Sequence, residues 1–232
     1  MSILGEIIEL YNFQELGRDA HVEYQRKLIE GSMNSYDESL SKYPYTSHAA
    51  RLYGCYARHT LSTLYIISAG KWDPCDALDA VQESGLSEQL IYSAAMATIA
   101  ASNIKSIQQI DGDFQFIPLF FGTFVLHCSF PLLLLVKTFG TQSDDNIIGA
   151  CETIIEASKT FSRYGEQLTQ RSEHPNRYLS NFISIIDGIK AAKITSLTTP
   201  EVSVQMMQDI NTKTEEILRL YRWNKTGHGV NT

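Results

Sequence analysis

Residues Phe116 to Val136 read FIPLFFGTFVLHCSFPLLLLV, a run without Asp, Glu, Lys or Arg. Asp111, Gly112 and Asp113 stand just before it and Lys137 closes it. A run of that length can cross a bilayer, and a helix that is apolar all round is expected either in a membrane or at the centre of a protein core. Pro118, Gly122, His127, Cys128, Ser129 and Pro131 interrupt the run. No second apolar span, one-sided basic cluster or signal-peptide architecture accompanies it. The preferred reading is therefore the buried central helix of a soluble all-helical protein. Pro131 removes one backbone hydrogen bond and crowds the preceding turn, which predicts a kink or break near Cys128 to Pro131.

Outward from this run the chain reads as helices joined by short connections. Asp111-Gly112 makes the turn from a strong helix over Leu86 to Ile110, whose alanines permit close packing, so the two helices should pair antiparallel. Gly140 ends the central run, Ser143 is the expected cap of the next helix, and Asp144 and Asp145 suit its positive end. That helix has the cleanest period in the chain, Ile147, Ile148, Cys151, Ile154, Ile155, Ser158 and Phe161, and is expected to reach Arg171 before His174-Pro175 breaks it. Leu179, Phe182, Ile183, Ile186 and Ile189 form another helix. Thr199-Pro200-Glu201 opens a last one, which runs to about Tyr221.

Towards the N-terminus, residues 3–40 read as helix with a soft middle, weakened at Gly17 and Gly31. Ser32 to Ser47 is polar, Tyr-rich and carries Pro44, and reads as a connection with one helical turn around Tyr36 to Leu40. Thr46 or Ser47 caps a helix to about Ala69, stopped by Gly70. In Gly70-Lys71-Trp72-Asp73-Pro74, Asp73 is the N-cap and Pro74 the first residue of a short helix ended by Gly85. The tail, 222–232, is Gly-rich, polar and expected to be flexible. No stretch alternates with period two. The expected fold is all-α: a single irregular helical bundle of about seven to nine helices around a buried apolar central helix, with residues 1–232 in one domain and one core.

The totals narrow the function. A net charge of −7 and a pI near 5.4 argue against this chain gripping nucleic-acid phosphates by itself. Cys55, Cys75, Cys128 and Cys151 form no CxxC pair and read as free thiols of a reducing compartment. Cys55 and His59 share a helix face but have no matching second pair for a metal site. His127 and Cys128 are sequence neighbours, which point apart on a helix. Glu152 and Glu156 form an i,i+4 carboxylate pair without the Glu-x-x-His of di-metal bundles. No phosphate-binding or nucleophile-elbow motif is present. The residues alone thus give a helical domain with an apolar centre, with no catalytic, metal or DNA-binding residues.

Four segments in order add a resemblance. They are His59-Thr60-Leu61 through Gly70-Lys71-Trp72-Asp73-Pro74; Phe116-Ile117-Pro118-Leu119-Phe120-Phe121-Gly122 through Ser129-Phe130 and the leucines; Ala150-Cys151-Glu152-Thr153-Ile154; and Leu220-Tyr221-Arg222-Trp223. Together, over roughly Ser47 to Gly229, the chain resembles the regulatory region of fungal zinc-cluster (Zn₂Cys₆) transcription factors, the xylanolytic-activator type in particular. The resemblance implies a nuclear (or nuclear and cytoplasmic) non-enzymatic domain that restrains or releases activation of carbohydrate-degradation genes in response to carbon source. Its partners would be protein: the rest of the transcription factor, a co-regulator or a second copy, with no direct nucleic acid and no membrane. It implies that Trp72 and Asp73 fix a helix–loop–helix corner and that Tyr221, Arg222 and Trp223 dock the tail. Cap and packing roles are the plainer alternatives for all five.

The family binds DNA through an N-terminal six-cysteine cluster holding two zinc ions. Four scattered cysteines cannot supply it, so this chain is expected to hold no cofactor. Pro131 stands where the family has an aliphatic residue. The expectation is a regulatory part without its DNA-binding module, whether truncated product, fragment or stand-alone relative. The competing readings are an integral membrane protein anchored by 116–136 and a helical metal or thiol enzyme using Cys55/His59 or His127/Cys128.

Overall fold

The apolar run becomes helical at Phe121. In the computed structural model, which describes residues 3–69, 73–118, 120–169 and 177–219, helix α6 spans Phe121–Phe139 and is ringed by other helices. In chain order, α1 (Ile3–Glu15), α2 (Asp19–Lys42), α3 (His48–Ala69), α4 (Pro74–Ser84) and α5 (Glu88–Ile110) come before it. After it come a 3₁₀ turn (Gly140–Gln142), α7 (Asp145–Thr169), α8 (Arg177–Ser196) and α9 (Pro200–Arg219). Among the described residues there is no strand.

The start of the run, Phe116 to Pro118, belongs instead to the α5–α6 connection. The buried Asp111 organises it: Oδ1 accepts the Gln115 N–H at 3.0 Å and Oδ2 the Phe116 N–H at 2.9 Å. The turn expected at Asp111-Gly112 is therefore longer, and the helix shorter at its start, because a carboxylate that ties down two backbone donors outcompetes helix continuation. The expected break at Pro131 is absent, since α6 runs through it. Every residue from Cys128 to Val136 is buried. A lost backbone bond and ring clash of about 3 kcal/mol are outweighed by that packing. The stretch Phe121–Gln142 is long and apolar enough to cross a membrane, and 61% of its apolar window is buried inside the protein.

Around α6 lie α3, α4, α5, α7 and α9, and α8 packs on both α7 and α9. The alanines of α5 act as expected: Ala94, Ala97, Ala100 and Ala101 are buried, and α3 lies close along them. One core was expected, but the described residues form two hydrophobic clusters. The larger gathers α3 to α9 around α6. The smaller joins Ile7 and Leu10 of α1 and Ile29 and Met33 of α2 to Leu61, Leu64 and Ile67, on the other side of α3.

Three local expectations also change. The connection predicted over Ser32 to Ser47 is helical to Lys42. Its composition is polar because α2 is largely solvent-exposed, with Met33 buried and Leu40 partly buried against the smaller cluster, and Lys42 pairs with Glu38 one turn away at 2.6 Å. The break falls at Gly17, with φ +65°, and Gly31 lies inside α2. Finally, Asp144 caps α7, accepting the Asn146 N–H at 2.7 Å. Ser143 instead donates to the Gly140 carbonyl at 2.7 Å and closes the 3₁₀ turn. Ser47 and Asp73 cap as expected.

Gly54 fixes the α2–α3 corner. A Cβ there would lie 2.1 Å from the Tyr45 ring, so only glycine admits that ring beside α3. Tyr45 donates to the Leu40 carbonyl at 2.8 Å, and Arg58 lies over its face, 5.3 Å from the ring centre.

Candidate functional site

The site builds from the α4 corner. Asp73 has extended backbone angles and its carboxylate accepts the Cys75 N–H at 2.8 Å, while Pro74 occupies the first turn. The cap starts α4 at an angle that buries Cys75 and Leu78. The Cys75 Sγ lies 3.9 Å from the Leu218 carbonyl oxygen near the end of α9. Arg219 pairs with Asp79 at 3.1 Å, and Gln82 donates to Glu215 at 3.1 Å. Glu215 also pairs with Lys137 of α6 at 3.2 Å.

Of the five residues singled out from the resemblance, Asp73 is thus placed as a cap. Trp72, Tyr221, Arg222 and Trp223 lie outside the described residues. The described residues next to those positions lie together, because α4, which follows Trp72, begins where α9, which precedes Tyr221, ends.

Beside α4 opens a cleft of about 770 Å³. Its walls come from α1 (Ile8, Tyr11), the end of α3 (Ile66, Ile67), α4 (Ala77, Ala80), the start of α5 (Leu90, Ser93) and α6 (His127, Pro131, Leu134). Asp73, Asp76 and Arg26 also border it. The Tyr11 hydroxyl donates to the Ile67 carbonyl at 2.5 Å, and burial pushes its pKa up to about 12, so it stays neutral. Burial also lowers the pKa of His127, favouring the uncharged imidazole. The Ser93 hydroxyl is buried and has no hydrogen-bond partner among the described residues. Asp73, His127 and Pro131 stood out in the sequence, but none of them as part of a cleft, and Ser93 did not stand out at all. Six separate segments meet here, and no spacing within any one of them signals a cleft.

Members of the candidate chemical pairs have other partners. His59 is fully buried, its Nδ1 3.1 Å from the Ala100 carbonyl and its ring against Phe121. Cys55 is half-buried, and burial raises its thiol pKa. The Cys128 Sγ lies 3.4 Å from the Thr63 hydroxyl, and burial pushes that thiol up to about 12. His127 instead borders the cleft and meets the Phe130 ring edge-on. Glu152 pairs with Lys190 of α8, and Glu156 with Lys159 at 3.6 Å. Among the described residues no three His, Cys, Asp or Glu side chains gather as metal ligands would. Raised thiol pKa values are the opposite of what a nucleophilic cysteine needs.

The chain is homologous to xylanolytic transcriptional activators. That of Aspergillus clavatus is 30% identical over 175 residues, 75% of this chain and 16% of the relative. That of Neosartorya fischeri is 29% identical over 175 residues, 75% of this chain and 17% of the relative. That of Aspergillus niger is 28% identical over 180 residues, 78% of this chain and 18% of the relative. The match thus spans less than a fifth of each of these relatives. No family model matches the chain. No solved structure matches it.

Proposed function

We propose that this homologue of fungal xylanolytic activators is a non-enzymatic regulatory domain that sets the output of a transcription factor for carbohydrate-degradation genes. It works in the nucleus through contacts with other protein segments or a co-regulator, and the DNA is held elsewhere. The observation that carries this reading is the continuous similarity over three quarters of the chain to xylanolytic transcriptional activators. The charge balance supports the division of labour. The net charge of −7 disfavours phosphate, and Lys27 and Arg219, which belong to the densest basic stretches, each lie beside a carboxylate. The α4 corner supports it too, since the helix that follows Trp72 begins beside the end of the helix that precedes Tyr221, Arg222 and Trp223. There Asp73 sets the corner, and the tail is proposed to dock.

The test is a reporter assay in a fungal host. The chain is placed between a heterologous DNA-binding module and an activation segment, and output is read on xylan and on glucose. The expected result is output that depends on carbon source and becomes constant when the chain is deleted. Output indifferent to carbon source, with the chain folded and nuclear, would overturn the proposal.

A further inference from the structure

The cleft beside α4 has the size and lining of a small-molecule site. Its volume of about 770 Å³ falls within the range of ligand pockets, which are mostly apolar with a few well-placed polar groups. Leu90 of α5 and Leu134 of α6 supply apolar wall.

Ser93 supplies the polar anchor. Hydroxyls within helices ordinarily bond back to the carbonyl four residues earlier, and others in α5 do: Thr98 to Ala94 at 3.0 Å and Ser106 to Ser102 at 3.1 Å. Ser93 makes no such bond, although it is only 2% exposed and lines the cleft. Buried hydroxyls are rarely left unpaired. A single oxygen arriving from the cleft would complete this one.

Charge narrows the class further. The Asp73 carboxylate is engaged as the α4 cap, and Asp76 and Arg26 border the cleft with opposite signs, so neither a cation nor an anion finds a matching free charge there. We propose that the cleft binds an uncharged amphipathic small molecule, its apolar body against Leu90 and Leu134 and a hydroxyl or carbonyl oxygen bonded to Ser93. The site rests on the regulatory reading only for its biological consequence, as the place where a small molecule would set the domain's output.

The test uses the purified 232-residue chain and two uncharged probes, 2-naphthol and naphthalene, which differ by one hydroxyl. Binding is followed by methyl NMR shifts at leucine and isoleucine. Both probes are expected to saturate, 2-naphthol with a Kd below about 1 mM. Ala80→Trp, which fills the cleft from α4, should weaken both at least about tenfold. Ser93→Ala should weaken 2-naphthol about fivefold and leave naphthalene unchanged. Absence of saturable binding by either probe would overturn the site, as would unchanged affinity in a folded Ala80→Trp chain. Equal effects of Ser93→Ala on both probes would overturn the role of Ser93, and this arm stands if Ala80→Trp fails to fold. Probe binding beside a carbon-indifferent reporter would sink the regulatory reading alone. A responsive reporter without probe binding would sink the site alone.

Discussion

Helix α3 separates two hydrophobic clusters built on different terms. On one side Leu52 and Ile66 join a cluster drawn from seven helices, in which α6 is buried at every position from Cys128 to Val136. On the other, Leu61, Leu64 and Ile67 meet a hairpin that contributes Ile7, Leu10, Ile29 and Met33 to its buried set. The hairpin leaves Leu4, Ile8, Leu16, Tyr24 and Leu28 exposed. It is tied to α3 by Tyr11 on the Ile67 carbonyl and Tyr65 on Asn34 at 2.9 Å. Few buried contacts mean a low local opening free energy. The larger core should therefore unfold as one unit, while the hairpin opens by itself. The cleft lies across that division, with α1 on one wall and α4, α5 and α6 on the others.

Phe121→Ala breaks the comparison at its strongest point. Phe121 is fully buried and meets the rings of Tyr56, His59, Phe114 and Phe161. The expected loss is about 3–5 kcal/mol, global and cooperative in a denaturant titration. A near-neutral result would mean that α6 is not the centre.

His59 tests the same core with protons. Burial lowers its pKa from 6.5 to about 4, so the unfolded chain takes up a proton at a pH where the folded chain does not. Its contribution is fully present above about pH 6.5 and is lost as pH falls to about 4, a total of about 3 kcal/mol. Comparing stability from pH 7 to 4 in the wild type and His59→Gln isolates this slope. Equal slopes in the two would contradict a neutral buried imidazole.

Met33→Ala addresses the smaller cluster, with an expected cost of about 2 kcal/mol, at the low end for Met→Ala. Amide exchange should quicken across α1 and α2 and stay unchanged in α5 and α6. Uniform acceleration would show that the two clusters unfold together. The smallest effect is expected at the corner, where Asp73→Ala should cost about 1 kcal/mol by loss of the cap. A denaturant midpoint identical to that of the wild type would remove Asp73 from that role.

Much of this fold was legible because its signals are local. The period of α7, the Asp73-Pro74 start of α4 and the glycine stop at Gly140 each depend on residues within a turn of one another. The misreadings share a cause. The Ser32 to Ser47 stretch reads as a connection because a helix packed along a narrow stripe has few apolar residues to display. Ser143 was a reasonable cap, but it became engaged in the 3₁₀ turn and left the position to Asp144. Pro131 carries a local penalty that the surrounding core overrides. At the site, Asp73 could be read from its proline neighbour, whereas Ser93 could not, since nothing near it in sequence distinguishes it from any other helical serine.

The sequence by itself determined the helical class, the central place of the apolar run, most helix ends and a charge balance unsuited to phosphate, since periodicity, caps and net charge are properties of neighbouring residues or of simple sums. Only the tertiary structure decided that α3 has two buried faces, that α4 begins where α9 ends, and that six segments leave a cleft with Ser93 on its wall. Those depend on which helix faces meet, and that is settled by packing between residues far apart in the chain.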